Sequence, residues 1–233
     1  MSDVDWVRSL ADLLSRLGAV RKAEGVRPGA GSRREPDECP VVNSRALRTF
    51  LSHLGTRPAP VLLDLGPVVG SNISYFGERL NCRFLVENLF DDLDRHARDA
   101  HPVDFAAFLS KRLTLHPGTV DGVLVWDLYD YLDRPSAQAL ATMLARLLRA
   151  DGALLGFFGN ANHAGSTCAK FVVVDDSHVR QRPYASALVR KASLQNRDII
   201  RMFDGMHVTD SYLLQAGWRE MLFRKGRSGR PIT

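Results

Sequence analysis

Val61-Leu62-Leu63-Asp64-Leu65-Gly66-Pro67-Val68-Val69-Gly70-Ser71 carries the clearest fold signal in the chain. Val61 to Leu65 is a short apolar run with one carboxylate near its end, the pattern of a strand buried on both faces. Gly66 and Gly70 then turn the chain tightly before helix-forming residues begin. A glycine lets backbone approach a ligand with no Cβ in the way. Such a turn lies at the carboxyl end of its strand, where open α/β sheets bind ligands. The N–H groups of a helix starting there favour a carboxylate or phosphate. Asp-x-Gly-x-x-x-Gly alone is moderately specific; the competing reading is a tight turn that holds nothing.

The next strand raises the specificity. Arg83-Phe84-Leu85-Val86-Glu87 ends in a carboxylate within ~20–25 residues of the first turn, the spacing at which such folds bond the two ribose hydroxyls of a nucleoside. A carboxylate there accepts two O–H donors and repels a 2′-phosphate, which argues against NADP. Further strands are read at Gly122 to Asp127 and Ala153 to Phe158. Helices are read at Ser44 to Leu54, Asn72 to Leu80, Asp91 to Arg98, Phe105 to Leu113 and Arg134 to Arg149, the last broken by Gly152. Strand and helix alternating in this way imply parallel pairing through right-handed crossovers. After residue 165 the rhythm changes: a strand at Ala169 to Asp175, helices at Arg197 to Phe203 and Asp210 to Gln215, and a last strand at Trp218 to Arg224.

Outside this body, Val4, Val7, Leu10, Leu14 and Leu17 recur at helical spacing, giving an N-terminal helix, capped by Ser2 or Asp3. Gly25, Pro28, Gly29, Gly31, Pro36 and Pro40 then mark a linker. The expected organisation is a helix and linker over 1–43, one α/β domain over 44–225, and a basic tail over 226–233. No run approaches the roughly 20 apolar residues of a membrane span. Asp3, Asp5 and Arg8 do not suit a signal peptide, so a cytoplasmic protein is expected. Cys39, Cys82 and Cys168 are too few and scattered for a disulfide framework or a metal knuckle, and no metal is expected. The net charge of +5 comes from arginine. It gathers in two flanks without interleaved aromatics, which leaves nucleic acid open as a partner but not favoured.

Taken together, residues 44 to 225 resemble the class I S-adenosylmethionine-dependent methyltransferases. VLLDLGPVVGS resembles that family's first motif, NCRFLVE its second strand with the ribose-binding acid, and DGVLVWDLYDYL its fourth-strand motif. LLRADGALLGFF resembles the helix and strand after it, and SYLLQAGWREMLFRK the last helix, glycine turn and antiparallel hairpin strand. The resemblance implies a Rossmann-like, doubly wound, mostly parallel seven-stranded sheet with a C-terminal antiparallel hairpin strand. It implies S-adenosyl-L-methionine as cofactor, held by Asp64, Gly66, Pro67, Gly70, Glu87, Asn88, Asp127 and Leu128. Two departures stand out. Val68, after Pro67, occupies the place of the family's middle glycine, and no clear third strand lies between Asp92 and His116.

Methyl transfer from a sulfonium is an in-line displacement on an activated carbon, so orientation and exclusion of water do much of the work. The weak candidates for a proton acceptor are His163, in the loop after Phe158, and Asp127; His207 is weaker still. Trp126 reads as core. No Asn-Pro-Pro-Tyr or Pro-Cys sequence marks a DNA base methyltransferase. Arg180, Arg182, Arg190, Lys191 and Arg197, in or beside an insert over Ser177 to Asn196, suit an anionic small-molecule acceptor, since arginine holds such groups bidentately. A second reading keeps the fold without catalysis, as a binding or scaffolding protein with a degenerate cofactor loop. A nicotinamide-dependent oxidoreductase is disfavoured by the absence of Gly-x-Gly-x-x-Gly.

Overall fold

Four apolar runs do assemble as parallel strands. The computed structural model of the protein describes residues 39–99, 104–159, 168–191, 194–214 and 217–226. Strand β2 (Val61–Asp64) lies between β3 (Arg83–Val86) and β4 (Val120–Trp126), parallel to both, and β4 is parallel to β5 (Leu148–Gly159). An antiparallel pair, β8 (Met206–Leu213) and β9 (Trp218–Lys225), completes the order β3-β2-β4-β5-β9-β8. This is the Rossmann-like, mostly parallel α/β sheet with a C-terminal antiparallel hairpin that the resemblance implied.

Successive side chains leave a strand on opposite faces, and here each set meets its own core. Leu63, Val123, Val125, Leu154, Phe158, Met221 and Phe223 face one cluster. It is closed by α3 (Leu89–Asp99), α4 (Phe105–Arg112), α5 (Arg134–Leu147) and α6 (Asn196–Met202). Leu62, Leu124, Trp126, Leu155, Phe157, Trp218 and Leu222 face the other. That face is covered by α1 (Arg45–Leu54), α2 (Gly70–Leu80) and a separate antiparallel sheet of β1 (Val41–Asn43), β7 (His178–Pro183) and β6 (Ala169–Asp175). The start of α1 is fixed twice. Ser44 caps it by accepting from Leu47 N at 3.1 Å, and the buried Glu220 of β9 accepts from Ser44 Oγ, from Arg45 N at 2.9 Å and from Ala46 N at 3.3 Å. A carboxylate under a helix N-terminus meets both its free N–H groups and its dipole.

Three expectations are corrected, and one strand, β7, is new. The main sheet has six strands among the described residues, not seven: Leu89–Asp99 and Phe105–Arg112 form α3 and α4, whose apolar residues pack on the first core. Residues 210–213 form part of β8 rather than a helix. Their burial alternates with period two along Met206 to Leu213, and each pairs with β9. The insert contributes β7, whose Val179 is fully buried. Helix α5 ends at Leu147 rather than Arg149, because buried Leu148 is drawn into the ladder opposite Val120; Gly152 therefore lies inside β5. The N-terminal helix, most of the linker and all but Gly226 of the basic tail lie outside the described residues.

Candidate functional site

The turn that opened the sequence reading sits at the carboxyl edge of the sheet. Asp64 ends β2 opposite Val86, so Glu87 follows at the end of the neighbouring strand, and its N–H donates to Asp64 O at 2.8 Å. Asp64 and Glu87 thus lie at two adjacent strand ends, Gly66 follows Asp64 in the turn, and Gly70 opens α2.

Their side chains are less alike. Asp64 is 2% exposed, and its Oδ1 accepts from Gly66 N at 2.8 Å and from Trp126 Nε1 at 2.6 Å. Burial outweighs these two bonds and pushes the carboxyl from 3.8 up to about 6. The Trp126 indole lies in the crook of the turn: a Cβ on Gly66 would come within 2.7 Å of Nε1 and closer still to Cδ1. The glycine is therefore required by the protein's own tryptophan. Trp126 adopts φ 47°, an outlier for a bulky side chain. Its hydrogen bond to Asp64 and its stacking on Phe171 (5.4 Å, 4°) and Phe157 (6.0 Å, 16°) hold it there. Gly70 is exposed, and a Cβ built on it meets nothing within 4 Å. Pro67 is buried.

Glu87 stays partly open, with its side chain 27% exposed. It pairs with Arg112 of α4, whose Nε also donates to Asp92 at 2.9 Å. Asn88 caps α3, its Oδ1 accepting from Asp91 N at 3.2 Å.

A second group lies at the ends of β4 and β5. Asp127 follows β4 and is fully buried; a single 3-10 turn, Leu128 to Tyr131, then brings Asp130 to the same side. Leu128 itself belongs to the core. The guanidinium of Arg190 enters between the two carboxylates. Its Nη2 donates to Asp127 Oδ2 at 2.9 Å and its Nη1 to Asp130. It stacks 4.5 Å from the centroid of Trp218 and 5.0 Å from that of Tyr131. Tyr131 donates to Asp127 Oδ2 at 3.1 Å, and Gly159 N donates to Asp130 Oδ1 at 3.0 Å. Burial raises the pKa values of Asp127 and Asp130, and Arg190 opposes the rise.

Of the five basic residues in or beside the insert, Arg190 has its side chain at this edge, and Arg182, Lys191 and Arg197 are exposed. His163 lies outside the described residues, and His207 is exposed on β8. The sequence reading passed over Asp130, Tyr131, Arg112 and Trp218. Asp127 and Asp130, three apart in Asp-Leu-Tyr-Asp-Tyr, were the visible signal for the acidic pair. A surface groove of about 280 Å³ runs along α4 and α5, and none of the residues discussed above lines it. No helix among the described residues is long and apolar enough to cross a membrane.

No protein-family model matches the chain, and no curated protein matches it by sequence. Among solved structures it is similar to an S-adenosylmethionine-dependent methyltransferase from Mesorhizobium loti, at 14% identity and TM-score 0.49, over 77% of this chain and 96% of the other. It is also similar to the CcbJ methyltransferase from Streptomyces caelestis (16%, TM-score 0.47, 78% and 94%). A third is the 1,6-didemethyltoxoflavin-N1-methyltransferase of Burkholderia thailandensis, solved with 1,6-didemethyltoxoflavin and S-adenosylhomocysteine (15%, TM-score 0.44, 95% and 86%). Likeness at this level assigns no function.

Proposed function

We propose that the protein is an S-adenosylmethionine-dependent methyltransferase acting on a small-molecule acceptor. The observation that carries this reading is the pair of adjacent strand ends. Asp64 and its glycine turn stand beside Glu87 at the carboxyl edge of a parallel sheet whose far side closes with an antiparallel hairpin.

The residues present fit the cofactor at one end. Gly70 leaves open space where the turn enters α2, and Glu87 offers a partly exposed carboxylate suited to two vicinal hydroxyls. Arg112 pairs with that carboxylate and holds it in place. When bound, S-adenosylmethionine supplies a methyl group on a sulfonium, already activated for displacement. Asp127, at the end of β4, would take a proton from an acceptor once Arg190 has left it. The buried rings of Trp126, Phe157, Phe171 and Trp218 exclude water from the same side.

Trp126 in the crook of Gly66 favours the second reading, a binding module with a degenerate loop. Calorimetric titration with S-adenosylmethionine and S-adenosylhomocysteine, with NAD and NADP as controls, separates the two. Micromolar binding of the first pair alone supports the enzyme and justifies an acceptor screen with labelled methyl. No binding of either by folded protein sinks it and leaves the binding module.

A further inference from the structure

The residues after β7 run without regular secondary structure from Tyr184 to Lys191. Their burial alternates, with Tyr184, Ser186, Leu188 and Arg190 turned inward and Ala185, Ala187, Val189 and Lys191 exposed. This is an extended strap that joins no sheet. Tyr184 N donates to Cys168 O at 2.7 Å, and Lys191 N donates to Asp130 O at 2.7 Å. Between these ends, Tyr184 OH reaches Asp91, while Ser186 Oγ and Ala187 N share Asp94. Among the described residues, two backbone–backbone bonds hold the strap, neither of them part of a sheet ladder, and Tyr184 and Leu188 pack against the first core.

Arg190 carries the strap's inward charge, and it fills its seat incompletely. Its side chain is 6% exposed, yet Nε finds no partner among the described residues. Asp127 is completely buried, and its Oδ1 is likewise without a partner. An unpaired buried acceptor on a carboxylate is costly. The seat therefore offers one acceptor more than its occupant uses. Two carboxylates, the faces of Tyr131 and Trp218, and one surplus acceptor together describe a receptor for a flat, multiply donating cation.

We propose that Asp127, Asp130, Tyr131 and Trp218 form a binding site for a small molecule bearing a guanidinium or amidinium group, and that Arg190 is its built-in competitor, displaced when the strap lifts. A ligand head group free of the strap can turn to meet Asp127 Oδ1 as well as the atoms Arg190 engages. With the strap up the site is acidic, so it selects cations over the anions that the insert's arginines alone suggested. The identification of this ligand as the methyl acceptor rests on the methyltransferase reading; its binding does not.

The test is calorimetric titration of the full chain with agmatine, and with (4-aminobutyl)urea, in which a neutral urea replaces the guanidinium, each with and without S-adenosylhomocysteine. Hydrogen exchange of residues 184–191 is followed in the same samples. Wild type should bind one agmatine and no (4-aminobutyl)urea, with faster exchange in the strap. Arg190→Ala should bind agmatine about tenfold more tightly, because the competing closed state is gone. Asp130→Asn should weaken binding in either background. Wild type that takes up no agmatine at millimolar concentration overturns the proposal, even if Arg190→Ala takes up guanidinium, since Arg190 is then a permanent part of the core. Agmatine and (4-aminobutyl)urea binding alike also overturns it. Should Arg190→Ala fail to fold, the wild-type titration and the exchange of its strap still decide. Agmatine binding without S-adenosylhomocysteine binding keeps this site and removes the methyltransferase reading; the converse keeps that reading and removes this site.

Discussion

Replacing Asp64 with asparagine should change how stability depends on pH, and the size of the change follows from the carboxylate's surroundings. Asp64 is 2% exposed and titrates at about 6 in the fold, against 3.8 for an ordinary aspartate. Burial is the leading cause, partly offset by the bonds from Gly66 and Trp126. The folded protein thus holds this proton more tightly than the unfolded chain does. The stability it brings is fully present below pH 3.8 and is lost as the pH rises to about 6. At about 1.4 kcal/mol per pKa unit, a difference of about two units amounts to roughly 3 kcal/mol. In Asp64→Asn the carboxamide oxygen can accept from the same two N–H groups, but the side chain does not titrate.

Urea unfolding of both proteins at fixed ionic strength checks this. The stability of the variant relative to wild type should rise by roughly 2.5 kcal/mol between about pH 4 and pH 7. Other carboxyl groups are common to both proteins, so the difference isolates Asp64. Parallel curves would show that the bonds from Gly66 and Trp126 balance burial, and a wild type that gains on the variant as pH rises would show that they outweigh it; either outcome sinks the prediction.

Glu220→Ala strips three donors at the start of α1 of their buried acceptor and should cost about 3 kcal/mol in the urea midpoint. A loss under about 0.5 kcal/mol, the range of a neutral surface change, would show that α1 does not depend on it. Gly66→Ala drives a methyl into the Trp126 indole and should cost about 1–3 kcal/mol. In a double-mutant cycle with Trp126→Ala that cost should largely vanish; additive losses would place the strain elsewhere.

The parallel strands were legible because each is a continuous apolar run, a signal that needs no partner to be read. Strand β8 was not. Tyr212, Leu213 and Leu214 look like one apolar stretch, yet Leu213 is 63% exposed, and only pairing with β9 makes the alternation sensible. The site divides in the same way. Asp64, Gly66, Gly70 and Glu87 come together because strand ends in a parallel sheet must share one edge. Which groups neutralise them could not be read. Trp126 reaches Asp64 across 62 residues, Arg112 reaches Glu87 across 25 and Arg190 reaches Asp127 across 63. Side-chain reach over such separations is set by packing, not by local pattern.

Those three pairings make the carboxyl edge unequal along its length. Asp64 is buried under tryptophan and Asp127 under Arg190, whereas Glu87 keeps 27% of its side chain exposed beside the open turn at Gly70. A nucleoside can therefore reach Glu87 by sharing it with Arg112, before anything moves at Asp127. If so, the two ends are separable. Glu87→Ala should weaken S-adenosylhomocysteine binding by about 1–3 kcal/mol, the cost of leaving two hydroxyls poorly paired. Arg190→Ala should leave that affinity nearly unchanged, and the double variant should show the sum of the two effects. The check is calorimetry on the two single variants and the double. A loss in Arg190→Ala as large as in Glu87→Ala, or a clear departure from additivity, would show that the strap and the glycine turn act on one ligand rather than on neighbouring ones.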